Sequence, residues 1–215
     1  AQRGIKIIVI DSDVNSSQVS CRIGTNNLQA GIKAAEAALA TDDEELYIGI
    51  VNYDVNSANG QQRELGFRQT VEQDPRVKNI TTINVLSTTE DARAGAKEML
   101  LSDSRINVVV TFNEWTSLGV GWAIRDLNRA DRIQVVAFDS NVVSVGMLET
   151  GEVDALIVQN PYAMGYLGVE TAANLMNGQT GGPSVVDTAT TIVTRENMYE
   201  PESQKILFSF EEEGY

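Results

Sequence analysis

IQVVAFDSN, residues 133–141, decides how this chain is read. A largely apolar run of strand length stops at Asp139, and the turn-forming pair Ser140-Asn141 follows. Far upstream, residues 5–13 read IKIIVIDSD and repeat the plan: apolar strand, acid, serine, small polar residue. In open α/β sheets ligands bind outside the carboxyl ends of the strands, so Asp139 and Asp11 stand where a ligand would be met. Two such ends predict two sheets, each giving one wall of a single site.

Working outward, residues 5–10 are almost uniformly apolar, as in a parallel strand covered on both faces. Residues 19–24 read as a short extended piece leading to a helix over 26–40, capped by Thr25 or Asn26. The alternation then repeats: strand 46–51 with helix 58–73, and strand 79–85 with helix 89–101. Strand 106–112 with helix 114–128 and strand 133–138 with helix 142–150 continue it. Thr88, with Asp91 three residues on, has capping-box spacing. Strand 153–159 gives way at Asn160-Pro161 to a helix running to 177, with Pro in its first turn. Gly178 suits the C-terminal cap, and Gly181-Gly182-Pro183 breaks the chain. Residues 185–193 read as a last strand, and 200–215 as polar, acidic surface helix or coil.

Such alternation implies an α/β fold of right-handed βαβ units on doubly wound parallel sheets. Strand 5–10 asks for more cover than helix 161–177 alone supplies, so upstream segments are expected. At ~30 residues per βαβ unit, three more units would add on the order of 100 residues. The sequence does not begin with Met, which fits a processed or cut chain.

Composition narrows the function. A chain of 215 residues holds one large domain or two small lobes, either with a substantial core. With 42% hydrophobic residues, 17 Gly and 4 Pro, whole-chain disorder is excluded. A net charge of −14 repels phosphate backbones and anionic lipid, which argues against nucleic acid or membrane as the main partner; it also simply keeps a protein soluble. The lone cysteine, Cys21, excludes an intramolecular disulfide and any CxxC motif, and reads as a small buried hydrophobe. Histidine is absent, and with it the commonest general base and metal ligand. No cofactor or metal is expected. No apolar run approaches the roughly 20 residues a membrane helix needs, and no signal-like segment is present.

The segments IKIIVIDSDV, TNNLQAG, QQRELGF, VVTFNEWTSLG, VVAFDSN and ALIVQNPYAMGYLGVE occur in the order of a known family. Through them the chain resembles the ribose-binding-like branch of the type I periplasmic sugar-binding proteins, the solute receptors of ABC importers. The resemblance runs from about residue 4 to 198. It implies two doubly wound lobes joined by three crossing segments, near Ile23–Asn26, Val158–Asn160 and Pro183–Val185, with sugar between the lobes. Residues 1–24 and 160–183 would be a remnant of the N-terminal lobe, and 25–159 with 184–215 the C-terminal lobe. The expected partners are a monosaccharide or polyol and a membrane permease. The expected location is periplasmic or extracellular, with a lipid anchor at a missing N-terminus as one form of it. Should the first strands be absent, weak or no sugar binding is expected.

A sugar offers hydroxyls that donate and accept, and one apolar face per ring, so its pocket needs carboxylates, amides or guanidinium groups, and an aromatic wall. Asp11 and Asp139 supply carboxylates able to accept from adjacent hydroxyls. The resemblance makes Arg63 the ligand-binding arginine and Asn113 and Gln159 the ligand-binding amides. Phe138 and Trp115 would pack against the C–H face. Each has a plainer reading: the two Asp as turn residues, Gln159 as hinge, Arg63 as solvated helix surface, Trp115 as core or helix-start packing. One departure stands out. Many ribose binders follow the acid matching Asp11 with an arginine, whereas here Ser12-Asp13 follows, which leaves pentose specificity open to other monosaccharides, polyols or a furanose.

An enzyme would have to work with carboxylates. Asp11-Ser12-Asp13 after a strand has the shape of a phosphatase nucleophile and acid, but no downstream Lys or acidic pair completes it. Gly119-Val120-Gly121 falls inside a helix and lacks the third glycine of a dinucleotide loop. Glu44-Glu45 and Glu211–Glu213 read as solvated faces. The alternative to a transport receptor is regulatory: the same lobes form the effector-binding core of lactose-repressor-type regulators and the sensor domain of some membrane kinases.

Overall fold

A parallel strand with apolar residues at successive positions needs cover on both faces, and this chain follows nearly every strand with a helix able to give it. The computed structural model describes residues 5–179 and 182–208. Its elements begin with β1 (Ile8–Ile10), β2 (Cys21–Thr25), α1 (Asn27–Leu39), β3 (Leu46–Asn52), α2 (Ala58–Val71), β4 (Val77–Asn84) and α3 (Thr89–Ser102). There follow β5 (Val108–Thr111), α4 (Glu114–Leu127), β6 (Gln134–Phe138), α5 (Val142–Thr150) and β7 (Ala155–Val158). The last are α6 (Pro161–Met176), β8 (Val185–Thr188), β9 (Thr191–Thr194) and α7 (Pro201–Leu207). The chain divides into two units: described residues up to Asn26 with Gln159–Thr190, and Asn27–Val158 with Thr191–Phe208.

The larger unit is built on a six-stranded sheet of order β4-β3-β5-β6-β7-β9, parallel as far as β7. Successive strand residues face opposite cores. Val109, Val135, Ala137 and Leu156 join residues of α3, α4 and α5 on one face. Val108, Val110, Val136, Phe138 and Ile157 join α1 and α2 on the other. Each large apolar side chain so buried contributes about 1.5–3 kcal/mol relative to exposure. Capping follows the sequence reading: the Thr88 hydroxyl accepts the Asp91 N–H at 3.2 Å. Between α1 and α2 the backbones nearly touch. A Cβ on Gly31 would stand 2.0 Å from the Arg63 carbonyl oxygen, and one on Gly66 2.1 Å from that of Leu28.

The smaller unit carries the parallel sheet β1-β2-β8, with α6 packed against β1 and β2. Its buried core is Cys21, Ile23 and Met164, with Ile8, Leu167 and Val186 packed half-buried around them. Pro161 opens α6 and the Asn160 side chain accepts the Ala163 N–H at 2.9 Å, while Gly178 takes φ 79° just past its end.

The structure departs from the sequence reading in two places. Residues 5–10 were expected to be covered on both faces, yet only 8–10 form β1, and Ile10 is 50% exposed. The cause is position: among the described residues β1 pairs with β2 alone, and α6 covers one face. Residues 185–193 form two strands where one was expected. β8 runs parallel to β2, whereas β9 runs antiparallel to β7, so the change of sheet comes at Ala189-Thr190 and not near Pro183–Val185. Val185–Thr188, expected in the C-terminal lobe, therefore pair within the smaller unit. Val193 on β9 covers the apolar edge that β7 would leave open, being fully buried beside Leu156. Gly181 and Glu211–Glu213 lie outside the described residues.

Candidate functional site

β6 ends at Phe138, and the backbone leaves the sheet at Asp139 with φ 65°. This left-handed conformation is disfavoured for most L residues, and Asp is among the few that enter it readily. The turn is pinned from two sides. The Asp139 N–H donates to the Ile157 carbonyl on β7 at 3.0 Å, and Asp139 Oδ2 accepts the Glu114 N–H at the start of α4 at 3.1 Å. The positive end of a helix thus holds one carboxylate oxygen.

Asp11 repeats the arrangement in the smaller unit. Its φ is 63°, and its N–H donates to the Ile23 carbonyl on β2 at 2.9 Å. The repeat seen in the sequence is therefore a conformational repeat: a strand, then a left-handed Asp whose amide bonds the neighbouring strand. Asp11 is exposed, and the Ser12 hydroxyl donates to its Oδ2 at 3.2 Å.

Arg63 is buried, with 3% of its surface exposed, which rules out the solvated-surface reading. Its Nε donates to Asn27 Oδ1 at 2.8 Å and its Nη1 to the Phe112 carbonyl at 2.6 Å. The guanidinium lies over the Phe138 ring, 4.8 Å from the centroid. Phe138 also meets Phe112 edge-on at 5.7 Å and is fully buried. The ring expected to face a ligand is thus a floor under Arg63, because β6 turns Phe138 inward on the face where α2 packs.

Asn113 is the N-cap of α4: its Oδ1 accepts the Thr116 N–H at 3.0 Å, and its Nδ2 donates to Ser87 at 2.7 Å. Trp115, in the first turn of α4, is 49% exposed and so is not core. Gln159 follows β7, and the Thr25 hydroxyl donates to its Oε1 at 2.7 Å. Asp11 and Gln159 thus belong to the smaller unit, where both border the end of β2; Arg63, Asn113, Trp115, Phe138 and Asp139 belong to the larger. The second acid, Asp13, forms an ion pair with Arg22, whose Nη2 also donates to the Val14 carbonyl at 2.9 Å. Asp13 is thus engaged by Arg22 on β2.

Two positions escaped the sequence reading. Asn27 orients Arg63, and Glu114 both fixes Asp139 through its N–H and accepts from Asn141 Nδ2 at 2.6 Å. Both lie inside quoted segments, TNNLQAG and VVTFNEWTSLG, but nothing in residue type separates an orienting polar residue from its neighbours. Among the described residues no group of three or more His, Cys, Asp or Glu could hold a metal ion, and no helix is long and apolar enough to cross a membrane.

A model of the periplasmic binding protein domain matches residues 1–180. The chain belongs to this family. Among curated relatives it is 28% identical over 150 residues to a D-ribose/D-allose-binding protein of Pseudomonas aeruginosa, covering 68% of this chain and 47% of that protein. Among solved structures, a carbohydrate transporter solute-binding protein of Agrobacterium radiobacter, in complex with D-arabinose, superposes with a TM-score of 0.90. It is 28% identical, with 95% of this chain and 71% of that one covered. The periplasmic component of an ABC-type sugar transport system from Hahella chejuensis gives 0.85 at 30% identity, covering 90% and 71%. The chain spans between 47% and 60% of the length of the curated relatives it matches. Those relatives bear the names of sugar-binding proteins and not of enzymes.

Proposed function

We propose that this chain serves an extracytoplasmic solute receptor that binds a monosaccharide or related polyol and delivers it to an ABC importer. The observation that carries the reading is the carboxylate of Asp139. It is held in a left-handed turn at the carboxyl end of β6, directly after the ring on which the buried Arg63 guanidinium rests. A fixed acceptor beside a fixed donor fork suits neighbouring sugar hydroxyls, each of which both donates and accepts. Asn113 adds an amide that also caps α4, and within the smaller unit Asp11 and Gln159 offer a carboxylate and an amide of the same kind. Trp115, half exposed, takes the role of aromatic wall against the C–H face, a role that the buried Phe138 does not fill. No bond of the ligand is made or broken; binding and release to the permease are the whole cycle.

The relatives named for ribose, allose and apiose, and the neighbour holding D-arabinose, support a small sugar without choosing one. Isothermal titration of the complete gene product against pentoses, hexoses and polyols tests it. Saturable heat with one sugar, lost in Asp139→Ala, is the expected result. A folded protein silent across the panel would sink the assignment.

A further inference from the structure

The parallel pairing of β5 with β6 ends at Val110 and Val136. Beyond that point a side chain stands in for the strand. The Ser117 hydroxyl, in the first turn of α4 and 1% exposed, accepts the Phe138 N–H at 2.9 Å. It also lies 2.9 Å from the Phe138 carbonyl, 2.7 Å from the Asn113 carbonyl and 2.7 Å from the hydroxyl of the fully buried Thr111. A hydroxyl has one hydrogen and two lone pairs. Carbonyls only accept, so the assignment that satisfies every neighbour has Thr111 donating to Ser117, and Ser117 sharing its own hydrogen between Asn113 and Phe138.

This node ties together the backbone that carries two of the ligand groups. The Phe138 carbonyl and the Asp139 N–H belong to one planar peptide unit. Ser117 holds its oxygen, and the Ile157 carbonyl receives its N–H at 3.0 Å. With that plane clamped at both ends, the aim of the Asp139 carboxylate follows from its φ of 65° and from the bond that Oδ2 accepts from the Glu114 N–H. The same hydroxyl reaches the carbonyl of Asn113, the residue whose amide caps α4.

We propose that Ser117, backed by Thr111, is a positioning residue of the ligand site: buried beneath it, Ser117 fixes Asp139 and Asn113 in the geometry that receives a sugar. The nature of the ligand rests on the receptor reading, whereas the positioning is readable in the sugar-free protein. Without the hydroxyl the Phe138 N–H is buried with no partner, and the end of β6 must shift to satisfy it. Binding groups have to be held to within about 0.5 Å of their working geometry, so such a shift reaches the ligand.

Two readouts on the complete gene product test this. The Glu114 amide proton, followed by NMR without sugar, reports on the Asp139 carboxylate to which it donates. Ser117→Ala should move that signal upfield and speed its hydrogen exchange, and the near-isosteric Thr111→Val should do so to a smaller extent. Thr111→Ser, which keeps the hydroxyl, should restore the parent signal. Calorimetric titration with pentoses, hexoses and polyols, at a temperature where each variant is folded, gives the second readout. Ser117→Ala should weaken binding about tenfold or more, the equivalent of one buried hydrogen bond. Thr111→Ser should bind like the parent although the lost buried methyl makes it melt earlier. If Ser117→Ala does not fold, Thr111→Val carries both measurements. An unmoved Glu114 signal with equal affinity in every folded variant, stability alone having changed, would overturn the proposal. A parent silent to every sugar, with the Glu114 signal moved in the variants, would sink the receptor reading and uphold the positioning of Asp139.

Discussion

Gly31→Ala and Gly146→Ala are the same chemical change within one unit, and the structure gives them opposite signs. Both glycines sit in helices, where alanine is favoured by roughly 0.8–1.0 kcal/mol. At Gly146 nothing lies within 4 Å of the added Cβ, so the intrinsic gain should emerge as about 0.5–1 kcal/mol of added stability. At Gly31 the Cβ would stand 2.0 Å from a backbone oxygen of α2, which cannot rotate away as a side chain would. The helices must part by more than an ångström, and overpacking of this kind costs about 1–3 kcal/mol or more. With a rigid neighbour the upper end applies, so the net loss is about 2 kcal/mol after the helical gain. The two variants should differ by about 2.5 kcal/mol or more, or on the order of 5–10 °C in melting temperature for a protein of this size. Urea unfolding followed by helix signal, with thermal melts beside it, measures both. Gly31→Ala melting at or above the parent would refute the close approach of α1 and α2, and with it the account of how Arg63 is positioned.

Other outcomes follow from the same contacts. At Asp139, where φ is 65°, Asn should preserve stability, whereas Ala, which adds strain and gives up the bond from the Glu114 N–H, should cost about 1–2 kcal/mol, and under the proposed function both should lose sugar binding; equal melting of Ala and Asn would contradict the strain argument. Arg63→Met keeps the stem but loses bonds to Asn27 and Phe112, for an expected loss of about 2–4 kcal/mol; a variant as stable as the parent would mean that Arg63 serves the ligand alone. Hydrogen bonds from Arg93, then Lys97, hold the Asp126 carboxyl at about 2, below its ordinary value. A depressed carboxylate adds stability above its unfolded pKa and loses it as pH falls through the folded one, so this contribution fades from about pH 4 to about pH 2. Acid unfolding of Asp126→Asn should therefore be shallower in that window, and the difference should shrink with salt; an unchanged acid limb would argue against the pairing.

The legible part of the fold was what periodicity carries. Apolar runs such as INVVVTF and the caps at Thr88 and Asn160 marked elements directly, because burial on both faces and unpaired helix amides act on local sequence. The split at Ala189-Thr190 was not legible, since β-branched residues continue on both sides and the choice of sheet depends on which edges are open. At the site, the pairing of Asp11 with Asp139 could be read because the motif recurs, while the left-handed backbone at both came only with the structure. The role of Phe138 could not: whether a strand-end aromatic faces outward depends on strand phase and on what α2 places above it. Asn113 shows the same limit, as its amide serves the helix start as well as any ligand.

The smaller unit's sheet joins strands from distant parts of the chain: Arg22 pairs with Val185, about 160 residues away. Closing so long a loop from an unfolded chain costs about 4–5 kcal/mol of entropy beyond a constant term. Among the described residues its buried core is three side chains, which offer little to offset that. Once Asn27–Val158 has folded, however, the two ends of that segment are held at a fixed separation, and most of the loop no longer has to be closed. Connectivity thus favours an order of assembly in which β3 to β7 form before β1, β2 and β8 pair.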